Sequence, residues 1–368
     1  MPTEYSAIAF AIIRILNISN IMVIKKIRSG QDAESIISYF TSQSEQQTLI
    51  NHKKRLSITD IIDIAQAELL KIEKHGYRVL SIWDSAYPHR LKEIYDPPLL
   101  LYYRGDVHIA NEKVVAVVGT RSCTSYGKMI AMEISQGLSH TGVVIISGMA
   151  QGIDRFAHCG ALSSTGRTIA VLGCGIDMVY PRSNRDIYDS IKENGLLLSE
   201  YPLGYPPLKQ NFPMRNRIIS GIADGVIVIE APPKSGSLIT AALALDQGRV
   251  VLAVPGNVTS RKSVGTNMLI RSGAPLISSW REALEEMYGI NGMLDIVGLQ
   301  KGETISPDGY ERDDKIEKIT AALTSQPLSA EQITSELGMS YSEVALTIVD
   351  MEIRGIVLRR SDLLYELI

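Results

Sequence analysis

Six short apolar runs constrain this chain more than any other feature: VVAVV (114–118), VVIIS (143–147), TIAVL (168–172), LLLSE (196–200), VIVIE (226–230) and VVLAV (250–254). None alternates apolar with polar residues, so each suits a strand covered on both faces. Each ends in a glycine-rich or polar loop and is followed by a helical pattern. That order predicts an α/β fold, a Rossmann-like parallel sheet with helices on both sides, spanning 76–290. Ligands of such sheets sit beyond the carboxyl ends of the strands, where helix N-termini present free amides. The loops after the six runs are where chemistry is expected.

At 368 residues the chain has room for more than this core. Residues 1–75 carry Ile8, Ile12, Ile15, Ile61, Ile64 and Leu69 at helical spacing, with the polar joint TSQSEQQ between, which predicts a small helical domain. The stretch 291–313 is polar and reads as a linker. Residues 314–368 follow the order of a winged helix-turn-helix. A formal net charge of −3 gives no global attraction for a polyanion, so such a partner needs a local cluster of cations. Three cysteines, Cys123, Cys159 and Cys174, are too few and scattered for a disulfide framework or a zinc site. Arg14, Asn17 and Asn20 interrupt the apolar N-terminal stretch before the roughly 20 residues a membrane span requires. The expectation is a cytoplasmic protein without metal or cofactor.

Gly119, Thr120 and Arg121 follow the first run, and Ser147 and Gly148 close the second. Arg182 stands after the third, and Lys209, Phe212, Arg215, Asn216 and Arg217 after the fourth. Lys234, Ser235, Gly236 and Ser237 follow the fifth, and Arg261 the sixth. Small residues for close backbone approach beside repeated cations make the inventory of an anion site. A dinucleotide site would carry G-x-G-x-x-G after the first strand, where only Gly119 and Gly127 occur, and there is no G-K-[ST] loop. Asp154, His158 and Cys159 fall on one helix and point in different directions, so no catalytic group is assigned to them; Asp154 is expected to offset the positive helix end. Phe212 either takes a base, with Lys209 on a phosphate, or packs as a core anchor. Arg215, Asn216 and Arg217 cannot all face one side of a helix, so one arginine lines the pocket while the other ties to an acid such as Asp224 or Glu230.

Taken in order, VVAVVGTRSCTSYG, IISGMAQGIDRFAH, AVLGCGIDMVYPRSN, LLLSEYPLGYPPLKQNFPMRNRIISG, VIVIEAPPKSGSLITAALALDQGR and VLAVPGNVTSRKSVGTNMLIRSGA resemble the signature segments of the DprA/Smf family, over about residues 76–280. The resemblance implies a non-enzymatic cytoplasmic protein with an extended Rossmann core between a SAM-like helical domain and a winged helix. It implies binding of single-stranded DNA with little sequence preference, protection of strands during natural transformation, loading of RecA, and a homodimer. It assigns the strand to Arg121, Arg182, Lys209 and Phe212, with Lys234 to Ser237 lining the same pocket.

Thr120 replaces the family's commoner serine and keeps a hydroxyl. RILNISNIMVIKKI lacks the glycines of a helix-hairpin-helix, so strong DNA binding by the N-terminal part is not expected. The winged part sets Glu331, Glu336, Glu343, Asp350, Glu352, Asp362 and Glu366 against Arg354, Arg359 and Arg360, which repels phosphate and favours protein contacts or packing on the chain's own core. The run 267–277, NMLIRSGAPLI, is either a dimer interface or buried in the monomer. The competing function is an enzyme of the phosphoribohydrolase kind acting on a nucleotide-derived small molecule. Against it, APPKSGSLITA lacks that group's paired glycines, and turnover dependent on Glu230 would favour it.

Overall fold

The computed structural model describes residues 4–16, 18–44, 58–164, 167–297, 314–324, 326–353, 356–360 and 364–367. They form two compact units, Met1–Lys301 and Gly302–Ile368.

The first unit is built on eight strands: β1 (Arg78–Ser81), β2 (Leu100–Gly105), β3 (Val114–Val118), β4 (Val144–Ser147), β5 (Thr168–Leu172), β6 (Leu196–Ser199), β7 (Gly225–Val228) and β8 (Val250–Ala253). Their order across the sheet is β1-β2-β6-β5-β4-β3-β7-β8. All six predicted runs pair in parallel, and every residue of β3 to β7 is buried. β2 adds to β6 antiparallel, and β1 to β2 likewise, so the residues before β3 extend the otherwise parallel sheet at one edge. The strands from β3 to β6 step one way across the sheet and β7 returns to the other side of β3. The switch point of this doubly wound fold therefore lies between β3 and β7.

The N-terminal helices, among them Glu4–Phe10, Asn20–Arg28, Ala33–Ser44 and Ile58–Lys74, bury Ile8, Ile12, Ile36 and Leu69 in the same core cluster as the sheet. Polar contacts fix them against it: Arg28 donates to the Ile94 carbonyl at 2.8 Å, and the Ser6 hydroxyl to Asp84 at 3.1 Å. The helical stretch Trp280–Val297 is broken at Gly289 (φ 69°), and its second part runs through the first residues read as linker and buries Met293. The glycines of GINGM suggested a loop, but its apolar residues keep helical spacing and the chain packs them. The rest of that stretch, 298–313, lies outside the described residues. Within 267–277 the chain divides: Ile277 is buried, while Met268 and Leu276 are exposed.

In the second unit the helices Asp314–Leu323, Ala330–Leu337 and Tyr341–Ile353 enclose Ile319, Ile333, Val344, Ile348 and Met351 beside the hairpin of β9 (Val357–Arg359) and β10 (Tyr365–Leu367). A capping box starts the middle helix, with Ser329 and Gln332 exchanging side-chain-to-backbone bonds, and Gly338 ends it at φ 64°. Arg360 pairs with Glu366 across the hairpin at 3.1 Å, so that wing cation is partly neutralised. Arg354 and Asp362 lie outside the described residues. Among the described residues no helix is long and apolar enough to cross a membrane.

Candidate nucleic-acid interface

Backbone hydrogen bonds hold the turn that leaves β3 against the turns that leave β4 and β7. The Ile153 amide donates to the Thr120 carbonyl at 3.2 Å, and the Thr120 amide donates to the Glu230 carbonyl at 2.8 Å. Gly152, at φ 76°, occupies a conformation that only glycine adopts without strain, and a Cβ there would lie 2.6 Å from the Arg121 carbonyl. This closure presents Arg121 at the surface beside the loop from Gly148 to Gln151.

Arg121, Gly148, Ala150 and Gln151, together with Tyr180, Pro181 and Phe212, line an open pocket. The Arg121 guanidinium lies 5.1 Å from the centre of the Phe212 ring. The Tyr180 ring is 5.5 Å from it at an interplanar angle of 37°, and Tyr180 is itself exposed. Gly173 makes room beneath, since a Cβ there would come within 2.9 Å of the Phe212 ring. A half-buried aromatic beside a cation and a second ring can accept a flat π-face, such as a base, and keep a positive charge next to it. Of the predicted residues, Arg121, Gly148 and Phe212 meet in this pocket. Tyr180, Pro181, Ala150 and Gln151 were missed, although the Tyr-Pro pair preceding Arg182 marked that loop.

The helix Asn211–Ile222 holds Phe212 in its first turn and is anchored on three sides. Arg215 is buried beneath the pocket; its Nη1 donates to the Gly148 carbonyl at 2.7 Å and also to the Val171 carbonyl. Burial lowers its pKa to about 10, with Asp154 opposing and Arg121 adding to the drop, so it remains cationic at neutral pH. Asn216 donates to the Gly236 carbonyl at 3.2 Å. Arg217 forks onto Glu200 at 2.7 and 2.9 Å and reaches Asp96 at 3.3 Å. Burial alone would lower the Arg217 pKa, but the charge and hydrogen bonds of Glu200, with Asp96, raise it overall.

Several residues expected on the strand-binding face are thus buried, Arg215, Asn216, Arg217, Ser147 and Thr120 among them. Arg217 is committed to Glu200 and Asp96, and neither acid is one of those anticipated for it. Asp224 instead pairs with Arg90 at 2.5 Å, and Glu230 accepts from Thr124. Ser147 is fully buried at the end of β4, where its hydroxyl donates to the Val117 carbonyl at 2.7 Å. Thr120 is also buried, its hydroxyl accepting from the Ser122 amide at 3.3 Å, while Gly119 permits the close approach of Ile153.

The remaining cations stand in the open. Arg182 follows Pro181 at the pocket edge, Lys209 precedes Phe212 by three residues, and both are exposed. Lys234 is exposed at φ 64°, an uncommon angle for a side chain of its size. Ser235 caps the helix Gly236–Asp246, its hydroxyl bonded to that of the buried Ser237 at 2.8 Å, and Gly236 is exposed.

The switch point itself is filled. Glu230 is buried and accepts from the Thr124 amide at 2.9 Å and the Thr124 hydroxyl at 2.5 Å, at the N-terminus of the helix Ser125–His140. A doubly wound nucleotide binder places its pyrophosphate at that helix end. Here a resident carboxylate takes the place, and a Cβ on Gly127 would overlap Glu230.

His158 is buried, its Nδ1 2.8 Å from the Thr168 hydroxyl, and burial with Arg215 nearby lowers its pKa to about 3, which keeps it neutral. Asp154 accepts from the amides of Gly148 at 3.1 Å and Ala150 at 3.4 Å, so it braces the preceding loop where the sequence suggested its own helix end. Burial raises its pKa against the pull of Arg215.

The chain is similar to known proteins along most of this length. Residues 78–288 match the family described as DNA recombination-mediator protein A, and residues 306–362 match the DprA winged helix domain. DNA processing protein DprA of Streptococcus pneumoniae is 46% identical over 223 residues, covering 61% of this chain and 78% of that one. The X-ray structure of the Streptococcus pneumoniae protein superposes with a TM-score of 0.63 at 35% identity, over 78% of this chain and 99% of that one. The structure of DNA processing protein A from Helicobacter pylori, described for its single-stranded DNA binding mode, gives 0.52 at 33% identity, over 56% and 93%.

Proposed function

The chain belongs to the DNA recombination-mediator protein A family, and from that premise we propose that it captures single-stranded DNA with little sequence preference. The observation that carries this reading is the Phe212 ring in contact with Arg121 and Tyr180 in an open pocket, with Arg182 and Lys209 exposed in the adjoining loops. Phe212 stacks a base, a contact on the order of 1–3 kcal/mol that any base can make. Arg121, Arg182 and Lys209 neutralise backbone phosphates, and Lys234 with the amides of the Ser235–Ser237 turn extends the track. Arg215 and Asn216 hold the platform from beneath. The Helicobacter pylori relative, with its single-stranded DNA binding mode, supports the same ligand.

The protein serves as a binder in the cytoplasm, not as an enzyme. The nucleotide-hydrolysing alternative needs an anion at the switch-point helix, and Glu230 occupies that end. By family likeness, the captured strand is protected and handed to RecA in transformation and recombination. Two copies pair through the segment around 267–277, for which the exposed Met268 and Leu276 supply apolar surface. Sedimentation velocity of the full chain should give a dimer at micromolar concentration. Growth of RecA filaments on captured strand should speed up in its presence, and an unchanged rate would remove the loading role.

A salt series with single- and double-stranded oligonucleotides of one sequence tests the capture. Three phosphate contacts predict that a fourfold rise in salt weakens single-strand affinity by roughly 20-fold, with duplex bound more weakly throughout. A flat profile, or equal affinity for duplex, would dismiss the reading.

A further inference from the structure

Glu200, directly after β6, is gripped from two directions. From the helix Asn211–Ile222, Arg217 holds both carboxylate oxygens, Nη2 to Oε1 at 2.7 Å and Nη1 to Oε2 at 2.9 Å. From the N-terminal helices, Asn20 donates to the same Oε1 at 3.0 Å, and Arg14 donates to the Glu200 carbonyl at 3.0 Å. The N-terminal segment and the platform helix thus meet on one carboxylate 180 residues along the chain from Asn20.

Geometry gives this junction leverage over the pocket. Phe212 and Arg217 are five positions apart, which on an α-helix is about 140° around the axis and about 7.5 Å along it. Phe212 faces the pocket while Arg217 fastens another flank of the same helix. A change in the height or angle of Glu200 therefore rolls the helix and carries the Phe212 ring with it. Arg217 is buried, so water cannot easily replace a contact it loses.

We propose that the N-terminal helices set the stacking platform through Glu200, with Asn20 and Arg14 as positioning residues that hold its carboxylate and carbonyl where Arg217 requires them. This rests on the reading of Phe212 as the base platform. The helical part thereby acts on strand capture without touching the strand.

The test uses the full chain and a thymine oligonucleotide containing 2-aminopurine, whose fluorescence reports stacking. Asn20→Asp sets a second carboxylate against Oε1, while Asn20→Gln keeps the amide donor. Asn20→Asp should raise the Kd about fivefold and reduce the stacking quench, in the range of indirect couplings. Its salt slope should equal the wild type's, because the number of phosphate contacts is unchanged. Asn20→Gln should stay within about twofold of wild type, as rescue by the surviving donor requires. Wild-type affinity and quench in Asn20→Asp would overturn the proposal, as would a salt slope that falls along with affinity. Lys209→Ala and Phe212→Ala run alongside. If they weaken binding and Asn20→Asp does not, the coupling alone fails; if both are silent, the platform reading falls and takes the coupling with it.

Discussion

Replacing Arg121 and Phe212 together with alanine is expected to weaken binding of a thymine oligonucleotide by about 100-fold, the largest effect on affinity that side chains of this pocket can produce. The stacking contact contributes on the order of 1–3 kcal/mol and the charge on a phosphate about 1 kcal/mol more, and each 1.4 kcal/mol is tenfold. The two losses should not add in full. Arg121 already rests 5.1 Å from the Phe212 ring in the free protein, so removing the ring also frees the guanidinium to wander before the strand arrives. The losses of the two single variants should therefore sum to more than the loss of the double variant on a logarithmic scale. Phe212→Trp should retain most of the affinity, because any aromatic face can stack. Arg121 is exposed and Phe212 only half-buried, so the loss of thermal stability should be modest. Fluorescence anisotropy on the double variant decides the matter, and an affinity within threefold of wild type would place the strand elsewhere.

The sheet was legible because its six central strands are covered on both faces, and such strands can only be written as unbroken apolar runs. β1 and β2 were readable as apolar but not as part of the sheet, since antiparallel addition at an edge is decided by pairing with β6 across a long chain separation. Site residues show the same division. Arg121 and Phe212 stand where the strand-loop-helix order puts them, at the carboxyl ends of β3 and β6. Long-range partners were not visible. Glu200 is the acid that Arg217 takes, and no local spacing distinguishes it from Asp224 or Glu230, which Arg90 and Thr124 already engage. Ser147 was expected to face the ligand because it closes its run, yet β4 keeps it as its last residue and turns its hydroxyl into the sheet. At GINGM, glycine content outweighed an apolar periodicity that packing then favoured. Backbone economy in the loops was legible as glycine but not in its purpose.

Gly152 makes that purpose testable, and Gly152→Ala should be among the most damaging small changes in the core. Two costs coincide there. An L-residue at φ 76° and ψ −130° is strained, by on the order of 1–3 kcal/mol. The new methyl would also press on the Thr120 and Arg121 backbone, with the Arg121 carbonyl at 2.6 Å, and backbone cannot rotate away as a flexible side chain can. Relief requires the turns after β3 and β4 to part, which breaks the bond from the Ile153 amide to the Thr120 carbonyl. Gly142 provides the control, since it has φ 84° and nothing within 4 Å of its would-be Cβ. Gly142→Ala should therefore cost only the strain, about 1 kcal/mol, or about 2–4 °C in Tm. Gly152→Ala should cost about 3 kcal/mol or more, about 6–12 °C, and the protein that remains folded should bind single strands weakly because Arg121 has moved with its backbone. Equal Tm losses in the two variants would mean that the close approach of these turns is not what holds Arg121 over the pocket.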